Sequence, residues 1–462
     1  LTTDRSVGIV WNLLQAQEMP MHAHRSALSL LAAALLLSSS SAWAENLIDA
    51  YQQAYHTDPV LAQARAELAA QMQDKPLARS ALLPHVGVGA AVGFNTADIT
   101  GFGNIDINRA YLSDSYSVNI TQSVFNGQAW TALKQADSRI QASAAGLTYT
   151  EQQLALQVAK AYFGVLEAQA QERVAQKQKS LLESIYQQTE ATLKIGTGDI
   201  IAVREAQARV DAAEADLIKA SNGVAIAEKQ LQRLTHHPIG VLEPLGHYRA
   251  LGPQPDDMQS WVHSAVQDQP LMHQAQAQLH TAQQEVQYHQ RARWPVVNLQ
   301  GVAQHALGNP FPGLVMNQAG VSLNLSVPLY EGGNISASVQ KAQAQTVASV
   351  DHVANVRDDV TLNTQTAFLN LKNSVAQLKA AKETVDSAKL SLEGTRKGYE
   401  VGTRSIIDLL HTATDYVRAE QDYNVAFYNQ VIARVQLKAA SGQINMADLQ
   451  AINALLIKSA SS

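Results

Sequence analysis

The chain has 462 residues, 34 of them Lys or Arg and 40 Asp or Glu, for a formal net charge of −6. That balance excludes the basic patch of a nucleic-acid binder. The absence of cysteine excludes a disulfide framework and a lipid-bearing N-terminal cysteine. Charged residues make up only 16%, against about a quarter in ordinary globular chains, and Ala, Gln, Ser and Asn fill the deficit.

Residues 1–44 read as an upstream extension and signal peptide. Met19 or Met21 is a better start than Leu1. Arg25 forms a basic head, Ala27 to Leu37 an apolar run too short to span a bilayer, and Ala42-Trp43-Ala44 a small-residue cleavage site. The mature chain then begins at Glu45. No other apolar stretch reaches the roughly 20 residues of a membrane helix.

A helix is expected from Pro59 to Leu83, with proline at its first position. Two segments of period 2 follow. In the first, Val86, Val88, Ala90, Val92 and Phe94 alternate with Gly or Ala. In the second, Tyr116, Val118, Ile120 and Val124 alternate with Ser115, Ser117, Asn119, Thr121 and Ser123. Alternation of this kind marks strands with one apolar and one polar face. The "GFGNI" at Gly101 is the turn between them. From Gly127 to Leu193 the chain is free of proline and reads as one helix of roughly 100 Å at about 1.5 Å per residue. It turns at "KIGTGDIIAV", where Gly196 and Gly198 stand, and returns through Val203–Leu234.

After a Pro/Gly-rich bridge, 236–255, the design recurs. Pro59 falls over Pro270, Pro84 over Pro295, "SVFNG" over "PLYEG", Phe163 over Phe368, and "IGTGDIIAV" over "VGTRSIIDL". The second copy has a helix Pro270–Arg293 and a strand with Val297 and Leu299. The next strand carries Val321, Leu323, Leu325, Val327 and Leu329 against Ser322, Asn324 and Ser326. A long helix Asn334–Glu400 has a heptad seam of Leu371, Leu378, Val385 and Leu392, as in a left-handed coiled coil. It turns at Gly402 and returns as Ile406–Ala440. The expected units are 45–235, 236–255, 256–445 and a C-terminal segment 446–462.

Four strands cannot close a barrel, and an open edge is not tolerated in lipid, so strands that span a membrane must be pooled between chains. Three chains give a twelve-strand barrel with a lumen of Ser, Thr and Asn. The competing reading is a periplasmic coiled-coil structural or adaptor protein without a pore. It explains the hairpins but not four amphipathic strands. No enzyme, cofactor or metal is expected: His236-His237 precedes a proline in the bridge, His273, His280 and His289 lack ligand-spaced partners, and no GxSxG or HExxH occurs.

The stretches "ENLIDAYQQAYHTDP", "SALLPHVGVGA", "ITQSVFNGQAW", "LSVPLYEGG" and "GYEVGTRSIIDLLHT" resemble the TolC family of outer-membrane efflux and type I secretion channels, across essentially the whole mature sequence. The resemblance implies a mainly α fold with a membrane β-barrel portion and duplicated strand-helix repeats. Each protomer of a homotrimer would give four strands to a twelve-strand barrel in outer-membrane lipid and hang a long α-helical tunnel into the periplasm. It implies work with a periplasmic adaptor (membrane fusion) protein and an inner-membrane transporter, exporting small toxic compounds, secreted proteins or both. It also implies gating at the two repeated turns. Tyr399 and Arg404 take the positions of the gate lock, and Asp408 that of the acidic constriction ring. The family's second ring carboxylate is His411 here, a residue type that gains charge in mildly acidic solution. The aspartate that commonly receives the lock is Ala202, which leaves Asp199 and Glu205 as alternatives.

Overall fold

The computed structural model describes residues 45–457 apart from 103, 104, 247 and 312. The signal-peptide expectation for 1–44, the tip of the turn after Gly101 and residues 458–462 lie outside the described residues.

Helix α1 (Leu47–Thr57) starts where the Asn46 side chain accepts from the N–H groups of Ile48 and Asp49. In α2 (Pro59–Met72) Asp58 caps and Pro59 fills the first position. The helix expected to run unbroken to Leu83 instead breaks at Gln73, and α3 (Asp74–Ser80) follows. Pro76 explains the break: it has no N–H to donate to the preceding turn. Strands β1 (His85–Phe102) and β2 (Ile105–Phe125) lead into α4 (Gly127–Lys194), and α5 (Ile200–Thr235) returns. The second half holds α6 (Met258–Asp268), α7 (Pro270–Arg291), β3 (Val296–Leu307), β4 (Val315–Ser326), α8 (Asn334–Glu400), α9 (Ile406–Ala440) and α10 (Met446–Asn453).

The sheet is antiparallel in the order β1-β2-β3-β4. Paired residues share a face, so its register fixes both faces. Val118 pairs with Val88 and Ala303, and Ala303 with Ala319; Leu299 pairs with Leu323 and Val297 with Leu325. These form one apolar, solvent-exposed face. The opposite face carries Asn119, Ser117, Asn298, Gln300, Asn324 and Ser322. β4 ends at Ser326, so Val327 and Leu329 lie outside the strand where the sequence pattern had placed them. Val124 forms a bulge that puts Phe125 opposite Val297. β1 and β2, at 18 and 21 residues, are much longer than the 12 of β3 and β4 and than the expected spanning length. Their outer parts pair only with each other, from Gly93↔Ser113 through Phe102↔Ile105.

Among the described residues four buried clusters order the helices, the smallest of them Ala265, Met272 and Val360. The largest is a hub at mid-height of α4. Tyr162 and Phe163 pack there with Leu47, Leu231, Val431 and Leu449, and the Tyr162 hydroxyl donates to the carbonyls of Glu45 (3.1 Å) and Glu243 (2.9 Å). A second cluster seats Trp261 of α6 against Phe368, Leu371 and Leu437. The third lies toward the tips and joins the two hairpins through Leu182 and Ile185 of α4, Val210 of α5, and Leu409 and Leu410 of α9. Along the seam of α8, Leu371 and Leu378 are buried, and Leu392 packs on the tip cluster.

Candidate functional site

At the end of α4 the Gly196 N–H donates to Leu193 O (3.0 Å) and the Thr197 N–H to Thr192 O (3.1 Å). At the end of α8 the Gly402 N–H donates to Tyr399 O (3.0 Å) and the Thr403 N–H to Gly398 O (2.8 Å). Both are Schellman turns, with Gly196 at φ 79° and Gly402 at φ 76°. The turn also brings the third-last helical residue against the residue two beyond the left-handed glycine. In the first tip these are Thr192 and Gly198, where a Cβ on Gly198 would stand 2.6 Å from Leu193 N. In the second they are Gly398 and Arg404, where a Cβ on Gly398 would meet Arg404 Cγ at 2.6 Å. Each tip therefore carries a glycine in this pair, on opposite sides.

Each return helix is capped. Asp199 caps α5, accepting from the Ile201 N–H at 3.1 Å. At α9 the Ser405 hydroxyl accepts from the Asp408 N–H and an Asp408 oxygen accepts from the Ser405 N–H, both at 3.1 Å. This capping box was not anticipated, although its Ser-x-x-Asp signal stands plainly in the sequence. The Ser405 N–H and hydroxyl hold the Asp408 carboxyl below the ordinary aspartate range, and the positive potentials of Arg404 and His411 act in the same sense. Asp408, Arg404 and His411 thus form one electrostatic group. Tyr399 is half-buried against the tip cluster beside Ile406. Arg404 is exposed; among the described residues it makes no ion pair with Asp199 or Glu205, and the nearby pairs run along single helices, Lys194–Glu190 at 3.1 Å and Arg396–Glu400 at 3.8 Å. Among the described residues no cluster of ligating side chains could hold a metal.

The model of the outer membrane efflux protein family matches residues 50–236 and 261–443. The chain belongs to this family. It is 31% identical to the outer membrane protein TolC of Escherichia coli (strain K12) over 443 residues, 92% of this chain and 87% of that protein. It is 28% identical to the alkaline protease secretion protein AprF of Pseudomonas aeruginosa, over 92% of this chain and 90% of AprF. The fold is shared with the CusC channel structure at a TM-score of 0.77 and 16% identity, covering 86% of this chain and 92% of that one. As an outer membrane efflux protein the chain is an exit duct of the outer membrane with a large periplasmic part, not an enzyme or a pore-less adaptor. Its four-stranded sheet is one protomer's share of a trimeric twelve-strand barrel, as in the family's channels, which closes the open edges of β1 and β4.

Proposed function

We propose that the duct is entered at the two helical tips and is closed there by Tyr399 and Arg404, with Asp408 and His411 lining the constriction. The supporting observation is the capping box, which keeps Asp408 ionised and fixes it at the first turn of α9 beside Arg404. Three such carboxylates around a threefold axis make a ring that attracts cations and is blocked by multivalent ones. The tip glycines Gly196, Gly198 and Gly402 set the turns that hold this ring. The repeats 45–235 and 256–445, joined by 236–255 and followed by 446–462, are the units that place the tips; the two segments matched by the family model support that division. A periplasmic adaptor and an inner-membrane transporter complete the path, and the cargo is small toxic compounds, secreted protein or both. The likeness to AprF supports the secretion branch.

Single-channel recording in a planar bilayer, with trivalent cation block titrated across pH, tests this. Asp408→Asn keeps an oxygen for the Ser405 N–H, so the cap survives while the charge goes, and block weakens. His411→Asp, which adds a second carboxylate one turn from Asp408, strengthens block. Unchanged block in Asp408→Asn places the constriction elsewhere.

A further inference from the structure

On the apolar face of the sheet a trough runs along β3. Its floor is made of residues with little or no side chain, Gly301 and Ala303, with Ala319 paired to Ala303 on β4. Its walls are Ile120 and Val118 on β2 and Val321 on β4. Around Ala303 it widens into an open hollow of about 450 Å³ between Val88, Val118, Ala319, Tyr116, His305 and Asn317. Backbone conformation does not require glycine here: Gly301 has ordinary φ, and a Cβ on it would meet only Ile120 Cβ at 3.8 Å. The trough is therefore left open by sequence, not by packing.

One end of the trough is polar. His305 Nδ1 lies 2.6 Å from Asn317 Oδ1, and the exposed ring of Tyr116 stacks on the imidazole at 6.5 Å between centroids. The imidazole Nε2, the Asn317 amide nitrogen and the Tyr116 hydroxyl have no hydrogen bond among the described residues. Asp114 follows one pair further along the same face. This end points away from the helices, because β3 leaves α7 and runs to Leu307, from where β4 returns at Val315. In the outer membrane it is the extracellular end. At the other margin Phe125, Trp130 and Trp294 cluster (centroids 5.0 and 6.2 Å) as the periplasmic aromatic belt.

From this polarity we infer that the trough is a binding site for a glycolipid of the outer leaflet, one per protomer. One acyl chain lies over Gly301 and Ala303, and a sugar head rests at Tyr116, His305 and Asn317. The head end is outward and the tail end inward, as an outer-leaflet amphiphile requires and an inner-leaflet one does not. An exposed aromatic face beside neutral donors and acceptors, with a carboxylate just beyond, suits sugar hydroxyls. A glycerophospholipid offers no row of sugar hydroxyls to these donors and acceptors; only its ammonium would meet the Tyr116 face and the Asp114 carboxylate. The inference rests on the outer-membrane placement of the family and is independent of the gate.

The test is native mass spectrometry of the trimer in a polyoxyethylene detergent, with lipid A or phosphatidylethanolamine added separately. The wild type should retain up to three lipid A molecules per trimer and lose phosphatidylethanolamine readily. Ala303→Phe, which fills the trough, and the double variant Tyr116→Ala with His305→Ala should each lower lipid A retention at least tenfold. Leu112→Phe, on the same face but above the site, should not. Heat-modifiable migration checks that each trimer assembles; if Ala303→Phe does not, Gly301→Val, whose first added carbon has room, fills the same space. Retention of lipid A unchanged in an assembled trough-filled trimer, or equal retention of both lipids by the wild type, overturns the inference and leaves the channel assignment standing.

Discussion

Leu323→Arg should be the most damaging single charge on the outward sheet face. From Trp294, two residues before β3, to His305 the extended reach is roughly 37 Å at about 3.4 Å per residue, which at a tilt of about 35–45° is at most about 26–30 Å of depth. That matches an apolar band of about 25 Å between two interfacial belts. Its midpoint falls at Leu299, whose partner is Leu323, 65% exposed on the lipid side. Arg there should cost about 2–4 kcal/mol per protomer, or about 30- to 1000-fold in the insertion equilibrium. Leu325 pairs with Val297, closer to the Trp294 belt, so Leu325→Arg should cost about half as much. Asn324 lies between them on the other face, donating to Gln300 Oε1 at 2.6 Å, and Arg there should cost much less, since lumen positions face water. Trimer yield in outer-membrane fractions and the urea midpoint of trimer dissociation measure the series. Equal tolerance of Leu323→Arg and Asn324→Arg would mean the faces are wrongly assigned. A larger loss at Leu325 than at Leu323 would refute the depth.

The tips offer three further tests. Gly402→Ala should cost about 1–2 kcal/mol through its left-handed backbone alone, since a Cβ there meets nothing within 4 Å, and faster hydrogen exchange at the Thr403 amide should report it. Gly198→Ala presses a Cβ onto Leu193 backbone and should cost about 1–3 kcal/mol, whereas Gly398→Ala presses hardest on the flexible Arg404 stem and, at 3.3 Å, on the Thr403 hydroxyl, and on no backbone. The Gly398 change should therefore mimic Arg404→Ser in conductance and antibiotic leakage, with little loss of thermal stability; wild-type conductance in both would remove Arg404 from the lock. Asp408, with its folded pKa lowered, adds stability to the start of α9 that is fully present above the unfolded aspartate range and is lost as pH falls through the lower folded value. In a His411→Asn background, where no imidazole contributes, the cation block that Asp408 supports should persist through mild acid and fade only below the usual aspartate range, and block that fades near pH 5 in that variant would contradict the capping box.

Sequence patterns were legible where a local rule and the fold agreed. Pro59 and Pro270 announced helix starts, Gly196 and Gly402 announced turns, and the heptad from Leu371 announced a seam, because each rests on backbone geometry or near-neighbour packing. The four strands were visible only as far as the bilayer imposes alternation. Past Phe94 and Leu112 the hairpin β1–β2 continues through Thr96, Asp98, Asn108 and Arg109, where water bathes both faces and no period-2 rule applies. Pro76 was present, but the surrounding Ala- and Gln-rich pattern outweighed it. The family positions of Tyr399, Arg404 and Asp408 could be aligned, yet the electrostatic state of Asp408 depends on hydrogen bonds with Ser405 that a periodicity reading does not weigh.

The hub around Tyr162 and Phe163 makes the first hairpin a lever with its fulcrum near the middle of α4. From Tyr162 to Lys194 the arm is roughly 48 Å at about 1.5 Å per residue. A tilt of about 10° at the fulcrum would swing the free end by about 8 Å, close to the interaxial distance of packed helices. Deformation so small need not unpack the hub's buried side chains. The force that moves the entrance can thus be applied at the waist as effectively as at the tips, and the stiff upper arms would carry little of it into the barrel.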